Sequence, residues 1–148
     1  MYPNTKKKKI LVVDDELDMQ IFLCNLLRSK GFEPINVECG SEVLKTATEM
    51  KPALIILNAM MLCKGTSQVY CDLKQHRKLQ KIPIIMHSIV DKQTFFYFQK
   101  FRNGTWRLGL PEPDAYLVKP LEAEELLGLV ETLTEAGDAK ATPGVKRE

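Results

Sequence analysis

Short apolar runs alternate with amphipathic stretches of helical period along nearly the whole chain. That rhythm restricts the fold more than any other feature, because strand–helix alternation builds a parallel sheet with crossover helices. Ile10–Val13 is a fully apolar run that stops at Asp14 and Asp15. Leu17 to Lys30 follows with Ile21, Phe22, Leu26 and Leu27 on a helical stripe, and Gly31 lies just past its end as a C-cap. Phe32–Val37 is the second strand, and Pro34 inside it predicts a sheet edge, where a missing N–H does no harm. Ser41 is the expected N-cap of a helix through Met50.

Ala53–Leu57 is the third strand and Asn58–Gly65 a loop. Ser67 to Leu79 is the third helix and Pro83–Met86 the fourth strand. A fourth helix starts at Asp91 or Thr94 and runs through Phe101; Arg102–Pro113, with two Gly and two Pro, is a loop. Ala115–Val118 is the fifth strand, and Leu121 to Glu135 the last helix, with Leu126, Leu127, Val130 and Leu133 inward and Ala136-Gly137 at its end. Five strands and five helices in alternation, with right-handed crossovers, give a doubly wound α/β domain. The edge position of Pro34 selects the strand order 2-1-3-4-5, the flavodoxin-like arrangement. The expected organisation is a basic arm over 1–8, one domain over 9–136 and a disordered tail over 137–148.

The 148 residues suffice for a buried core without disulfides or metal. The longest charge-free run, Pro52 to Cys63, is too short for a membrane span of about 20 residues. No secretory signal follows the Lys6–Lys9 run, so the expectation is a cytoplasmic protein. The net charge of +2 comes from the ends: residues 1–9 carry four Lys, and Lys140, Lys146 and Arg147 sit in the tail. Between these ends the body is at −3, which argues against nucleic-acid binding by this domain. Cys24, Cys39, Cys63 and Cys71 show no C-x-x-C spacing, and His76 and His87 complete no zinc pattern. Cys63 is a candidate redox-reactive thiol with only Lys64 to activate it.

In sheets of this order the working site lies beyond the carboxyl ends of the strands. The first strand delivers Asp14 and Asp15, the third Asn58, the fourth His87 and Ser88, the fifth Lys119-Pro120. Adjacent carboxylates suit Mg²⁺, and a hydroxyl with an ammonium suits phosphoryl oxygens. The plainer alternative has Asp15 capping the first helix and Asp14 paired with Lys119.

These segments resemble the receiver domain of two-component response regulators. Lys9-Ile-Leu-Val-Val-Asp-Asp-Glu16 is similar to the family's opening strand and acid pair, and Ala53-Leu-Ile-Ile-Leu-Asn58 to its third strand. Pro83-Ile-Ile-Met-His-Ser88 resembles the strand with the switch Ser or Thr, and Tyr116-Leu-Val-Lys-Pro120 the strand with the Lys and cis-Pro. The resemblance covers about residues 7–136. It implies a non-enzymatic signalling module with Mg²⁺ at Asp14, Asp15 and the Met60 carbonyl, and phosphoryl-contact or switch positions at Ser88, Tyr116 and Lys119.

The departures are informative. Asn58 stands where the family has its phosphoacceptor Asp, and an amide oxygen is a poor nucleophile. With one anion fewer, Mg²⁺ binding is expected to be weak. The following loop carries Met61, Leu62 and Thr66 where the family usually has Met, Pro and Gly, with Gly65 one place early, which favours natural divergence. The segment between Ser88 and Lys119 is longer than usual and rich in rings: Phe95, Phe96, Tyr97, Phe98, Phe101 and Trp106 are six of the chain's eleven aromatics. Adjacent helix positions sit about 100° apart, so four consecutive rings cannot all face inward.

The expected function is an atypical, single-domain pseudo-receiver acting by protein contact without aspartyl phosphorylation. Its partner is a histidine kinase, a downstream signalling protein or a second copy, held by exposed members of Phe95, Phe96, Tyr97 and Phe98 with Trp106 at the rim. Alternatively, the 102–113 loop covers those rings as a lid. Two other functions compete: a receiver phosphorylated on His87 or Asp15, and a small nucleotide- or flavin-binding protein. Against the last, no Gly-rich phosphate loop follows the first strand.

Overall fold

The computed structural model describes residues 7–61, 66–102 and 110–141, with backbone alone at 98–102 and 136–141. Five parallel strands, β1 (Lys9–Val13), β2 (Glu33–Val37), β3 (Leu54–Asn58), β4 (Ile84–Ser88) and β5 (Ala115–Val118), form one sheet in the order β2-β1-β3-β4-β5. Pro34 lies on the edge strand, as its missing N–H requires. The helices are α1 (Leu17–Ser29), α2 (Val43–Met50), α3 (Thr66–Gln75), α4 (Lys92–Arg102) and α5 (Ala123–Ala141). Among the described residues no helix is long and apolar enough to cross a membrane.

Side-chain alternation along the strands divides the core in two. Leu11, Val13, Ile55, Leu57, Ile84 and Met86 pack against α2, α3 and α4 through Val43, Ala47, Val69, Tyr70, Leu73 and Phe95. Ile10, Val12, Leu54, Ile56, Ile85 and Leu117 pack against α1 and α5 through Leu23, Leu27, Leu126 and Val130. β3 and β4 are buried along their whole length, which is why they read as continuous apolar runs.

Several boundaries differ from the sequence expectation. β3 and β4 extend to the polar residues Asn58 and Ser88, so these side chains are held by the sheet and not by loops. In α1 the inward positions are Gln20, Leu23 and Leu27, while Ile21 and Phe22 face outward. The helix ends in a Schellman motif: the Phe32 amide bonds to Leu27 O and the Gly31 amide to Arg28 O, with Gly31 at φ +85°. Ser41 is not a helix cap; it lies in a short 3-10 turn, Gly40–Glu42, ahead of α2, and its hydroxyl meets Cys39 Sγ. Asp91 caps α4, its Oδ1 accepting the Thr94 amide at 2.8 Å. α5 continues through Gly137 to Ala141, so residues 137–141 are helix and not tail.

Candidate functional site

The carboxyl ends of β1, β3 and β4 bring three polar side chains together on the α1/α5 face. The parity that puts Val12, Ile56 and Ile85 on that face puts Asp14, Asn58 and His87 there two residues later. Register aligns them, since Val13 lies opposite Leu57 and Asn58 opposite His87. Asp14 and His87 are fully buried and Asn58 nearly so.

The Asp14 carboxylate accepts its hydrogen bonds through one oxygen, and the other, Oδ2, is buried without a hydrogen-bond partner among the described residues. Oδ1 accepts the Glu16 amide at 2.9 Å and Asn58 Nδ2 at 3.2 Å. His87 Nε2 stands 3.2 Å from Oδ2. Burial by itself raises the Asp14 pKa, but the His87 ring, the Glu16 amide and the Asn58 amide outweigh it and hold the carboxyl below its ordinary value. Gln20 supports the same residue from α1, Nε2 donating to Asp14 O at 2.8 Å. The Asn58 side-chain amide is engaged at both ends, since Oδ1 accepts the Met60 amide at 2.9 Å, and the Asn58 backbone carbonyl accepts a hydrogen bond from Thr66 Oγ1 at 2.8 Å. That pattern fixes the orientation of the amide, because only Nδ2 can donate to a carboxylate.

The other predicted residues surround this cluster. Asp15 is half-buried at its edge, and Met60 is exposed just past β3. Lys119 Nζ reaches Glu16 Oε1 at 2.7 Å, so the Asp14–Lys119 pairing of the plainer alternative does not form, and His87 stands beside Asp14 instead. Lys119-Pro120 is a cis peptide. Ser88 lies on the opposite sheet face, its Oγ accepting the Val90 amide at 3.1 Å. Tyr116 points inward, its hydroxyl donating to Val90 O at 2.9 Å and its ring packing on Phe95 and Phe96.

The set of rings on α4 is divided. Phe95, at 3% exposure, is core and is withdrawn from the partner face. Phe96 is half-buried edge-on against Phe95. Tyr97 is 61% exposed. The Phe98 side chain, Cys63 and Trp106 lie outside the described residues, as does the part of the 102–113 loop that would form a lid.

Sequence reasoning noted His87 as a possible acceptor and missed its contact with Asp14. Counting strand parity from Ile85 would have found it. Gln20 was missed too, although it stands three residues before Leu23 and seven before Leu27, on the inner stripe.

A parallel 2-1-3-4-5 sheet carrying acids at the end of β1, a hydroxyl at the end of β4 and a Lys after β5 defines a receiver-type signalling domain. Residues 10–131 match the family model for the response regulator receiver domain, and the chain belongs to that family. It is 32% identical over 135 residues to the alkaline phosphatase synthesis transcriptional regulatory protein PhoP of Bacillus subtilis, covering 90% of this chain and 51% of that protein. It is 26% identical over 126 residues to the phosphate regulon transcriptional regulatory protein PhoB of Escherichia coli, covering 85% of this chain and 51% of that one. The chain thus spans about half the length of these relatives. Two solved structures share the fold. The signal receiver domain of a histidine kinase from Syntrophus aciditrophicus has a TM-score of 0.74 at 21% identity, over 95% of this chain and 98% of that one. Chemotaxis response regulator CheY4 of Vibrio cholerae has a TM-score of 0.69 at 22% identity, over 86% and 99%.

Receiver domains are generally non-enzymatic signalling domains that interact with histidine kinases, and they typically bind Mg²⁺ at the phosphorylation site. Of the carboxylates expected to hold that ion, Asp14 is buried and Asp15 half-buried at its edge. Among the described residues no three metal-ligating His, Cys, Asp or Glu side chains converge, and Asp14 Oδ1 already accepts the Glu16 and Asn58 amides.

Proposed function

We propose that this domain is a pseudo-receiver, which signals through protein contact without forming an aspartyl phosphate. One observation carries the proposal: the residue at the acceptor position, Asn58, has its amide committed on both sides, to Asp14 and to the Met60 amide. An amide in that arrangement supplies no nucleophilic oxygen. His87 as a substitute acceptor is disfavoured by its complete burial against Asp14. Any Mg²⁺ held by Asp14, Asp15 and the Met60 carbonyl has to displace existing contacts, so binding is weak. The contact surface lies on α4 and β5, where Tyr97 and Val118 are exposed, and the partner is a signalling protein or a second copy. The body charge of −3 supports no nucleic-acid role for this domain, and a cytoplasmic location goes with this function.

Incubation with acetyl phosphate and Mg²⁺, followed by intact mass spectrometry, tests the proposal. The wild-type mass should stay unchanged. A Mg²⁺-dependent gain of one phosphoryl group would overturn it.

A further inference from the structure

We propose that the outer face of α1 pairs with the same face of a second copy of this chain, antiparallel about a two-fold axis level with Leu23, so that Asp18 of each copy meets Arg28 of the other. This surface lies across the sheet from the one proposed on α4, and it does not depend on whether the domain is phosphorylated.

The inner stripe of α1, Gln20, Leu23 and Leu27, is buried against the sheet. Its outer face is apolar as well: Leu17, Ile21 and Phe22 are 66%, 51% and 38% exposed. Leu17 and Ile21 stand one turn apart and share a strip of surface. The patch continues past the start of the helix, because Leu17 lines one cleft with Ile89, itself 70% exposed. Single exposed apolar residues are ordinary, but a contiguous patch marks a contact site.

The charges select the occupant and its direction. Asp18, Ile21, Asn25 and Arg28 are all exposed and follow the three-four-three spacing of a two-helix seam, with Leu17 and Phe22 on its flanks. Asp18 lies in the first turn of α1 and Arg28 in the last, about 15 Å apart along the axis. A parallel copy would set Asp18 on Asp18 and Arg28 on Arg28. An antiparallel copy sets opposite charges together at both ends and brings Ile21 of each chain to the centre, beside Asn25 of the other. The face is thus self-complementary, which a two-fold interface requires. Among the described residues neither Asp18 nor Arg28 has an ion-pair partner in its own chain. The helix dipole accounts for an acid at the start and a base at the end, but not for the apolar side chains on the same face.

The test uses the full chain as wild type, Asp18→Arg, Arg28→Asp, the double variant and Ile21→Glu. Sedimentation follows the average mass up to millimolar concentration, and thermal melts check the fold of each variant. Wild type should dimerise as concentration rises. Each single charge variant should associate about tenfold or more weakly than wild type. The double variant should recover wild-type association. A mixture of the two single variants should form a heterodimer, because each supplies the charge that the other lacks. Ile21→Glu, changed at an exposed position, should be a folded monomer. A wild type that stays monomeric throughout overturns the proposal, as does a double variant no better than the single ones. Single variants that fail to pair on mixing overturn it as well, since the two charges are then not opposed. Association lost in Tyr97→Ala but kept in Ile21→Glu would place the second copy on α4 and not on α1.

Discussion

Asn58 Nδ2 donates to Asp14 Oδ1 across 3.2 Å, an amide set against a carboxylate at the end of two neighbouring strands. Restoring a carboxylate at this place puts two like charges in contact, a repulsion of order a few kcal/mol at an effective dielectric near 20. Asn58→Asp in EDTA should therefore unfold more easily than wild type, by about 1–3 kcal/mol near pH 7.5. The paired acids share a proton as pH falls, which raises the folded-state pKa of the pair above its unfolded value. The sign follows: the native variant binds more protons than its unfolded chain, so its deficit should shrink near pH 5. Urea titrations at the two pH values check this. A deficit independent of pH would mean that geometry, and not charge, makes Asn58 fit.

The sequence made the sheet visible because β3 and β4 are buried on both faces and contain nothing but apolar residues until their last positions. The interior of α1 was less visible. Ile21 and Phe22 are apolar yet outward, and Gln20 is polar yet inward because Asp14 O needs its donor. Helical period alone cannot separate an exposed ring from a core one. The end of α5 was hidden by Gly137, whose cost in a helix interior is only about 1 kcal/mol relative to Ala. Asp14, Asn58, His87 and Lys119 were in view at strand ends, but the contacts among them were not. Asp14 with His87 and Lys119 with Glu16 depend on side-chain direction across three elements, which spacing along one element does not encode.

The division of the α4 rings gives two contrasting expectations. Phe95 is buried against Phe96 and Tyr116, so Phe95→Ala should cost about 3–5 kcal/mol of stability. Tyr97 is exposed, so Tyr97→Ala should change stability by less than about 0.5 kcal/mol. If Tyr97 anchors a second copy, the same variant should shift sedimentation toward monomer by about 2 kcal/mol of association energy. Thermal melts and sedimentation velocity on the two variants separate core from contact surface. Unfolding of Tyr97→Ala would place this ring in the core as well.

Tyr116 is pinned from both ends, its hydroxyl on Val90 O and its ring on Phe95 and Phe96. Tyr116→Phe keeps the ring packing and loses the hydrogen bond, so the expected loss is about 1 kcal/mol. The amide exchange of α4 and β5 should then rise little. A large rise in exchange across both elements would show that this hydroxyl holds the face in one of two arrangements.

Acid should unfold the domain partly through Asp14. Burial favours its neutral form, but His87, the Glu16 amide and the Asn58 amide together hold the folded-state pKa below the ordinary value. The unfolded chain therefore binds more protons than the native one in the window beneath about pH 4. Stabilisation from this carboxylate is fully present above the unfolded pKa and is lost as pH falls through the folded one. Asp14→Asn removes the titration while preserving shape. It should be less stable than wild type at neutral pH, because the charge-assisted bonds are gone, by about 1–3 kcal/mol. Its stability should fall less steeply than that of wild type below about pH 4. Urea unfolding followed by tryptophan fluorescence or circular dichroism from pH 7 down to about pH 3 would show the two curves converging. Parallel curves would mean that Asp14 titrates alike in the folded and unfolded states, and that its buried contacts do not favour the anion.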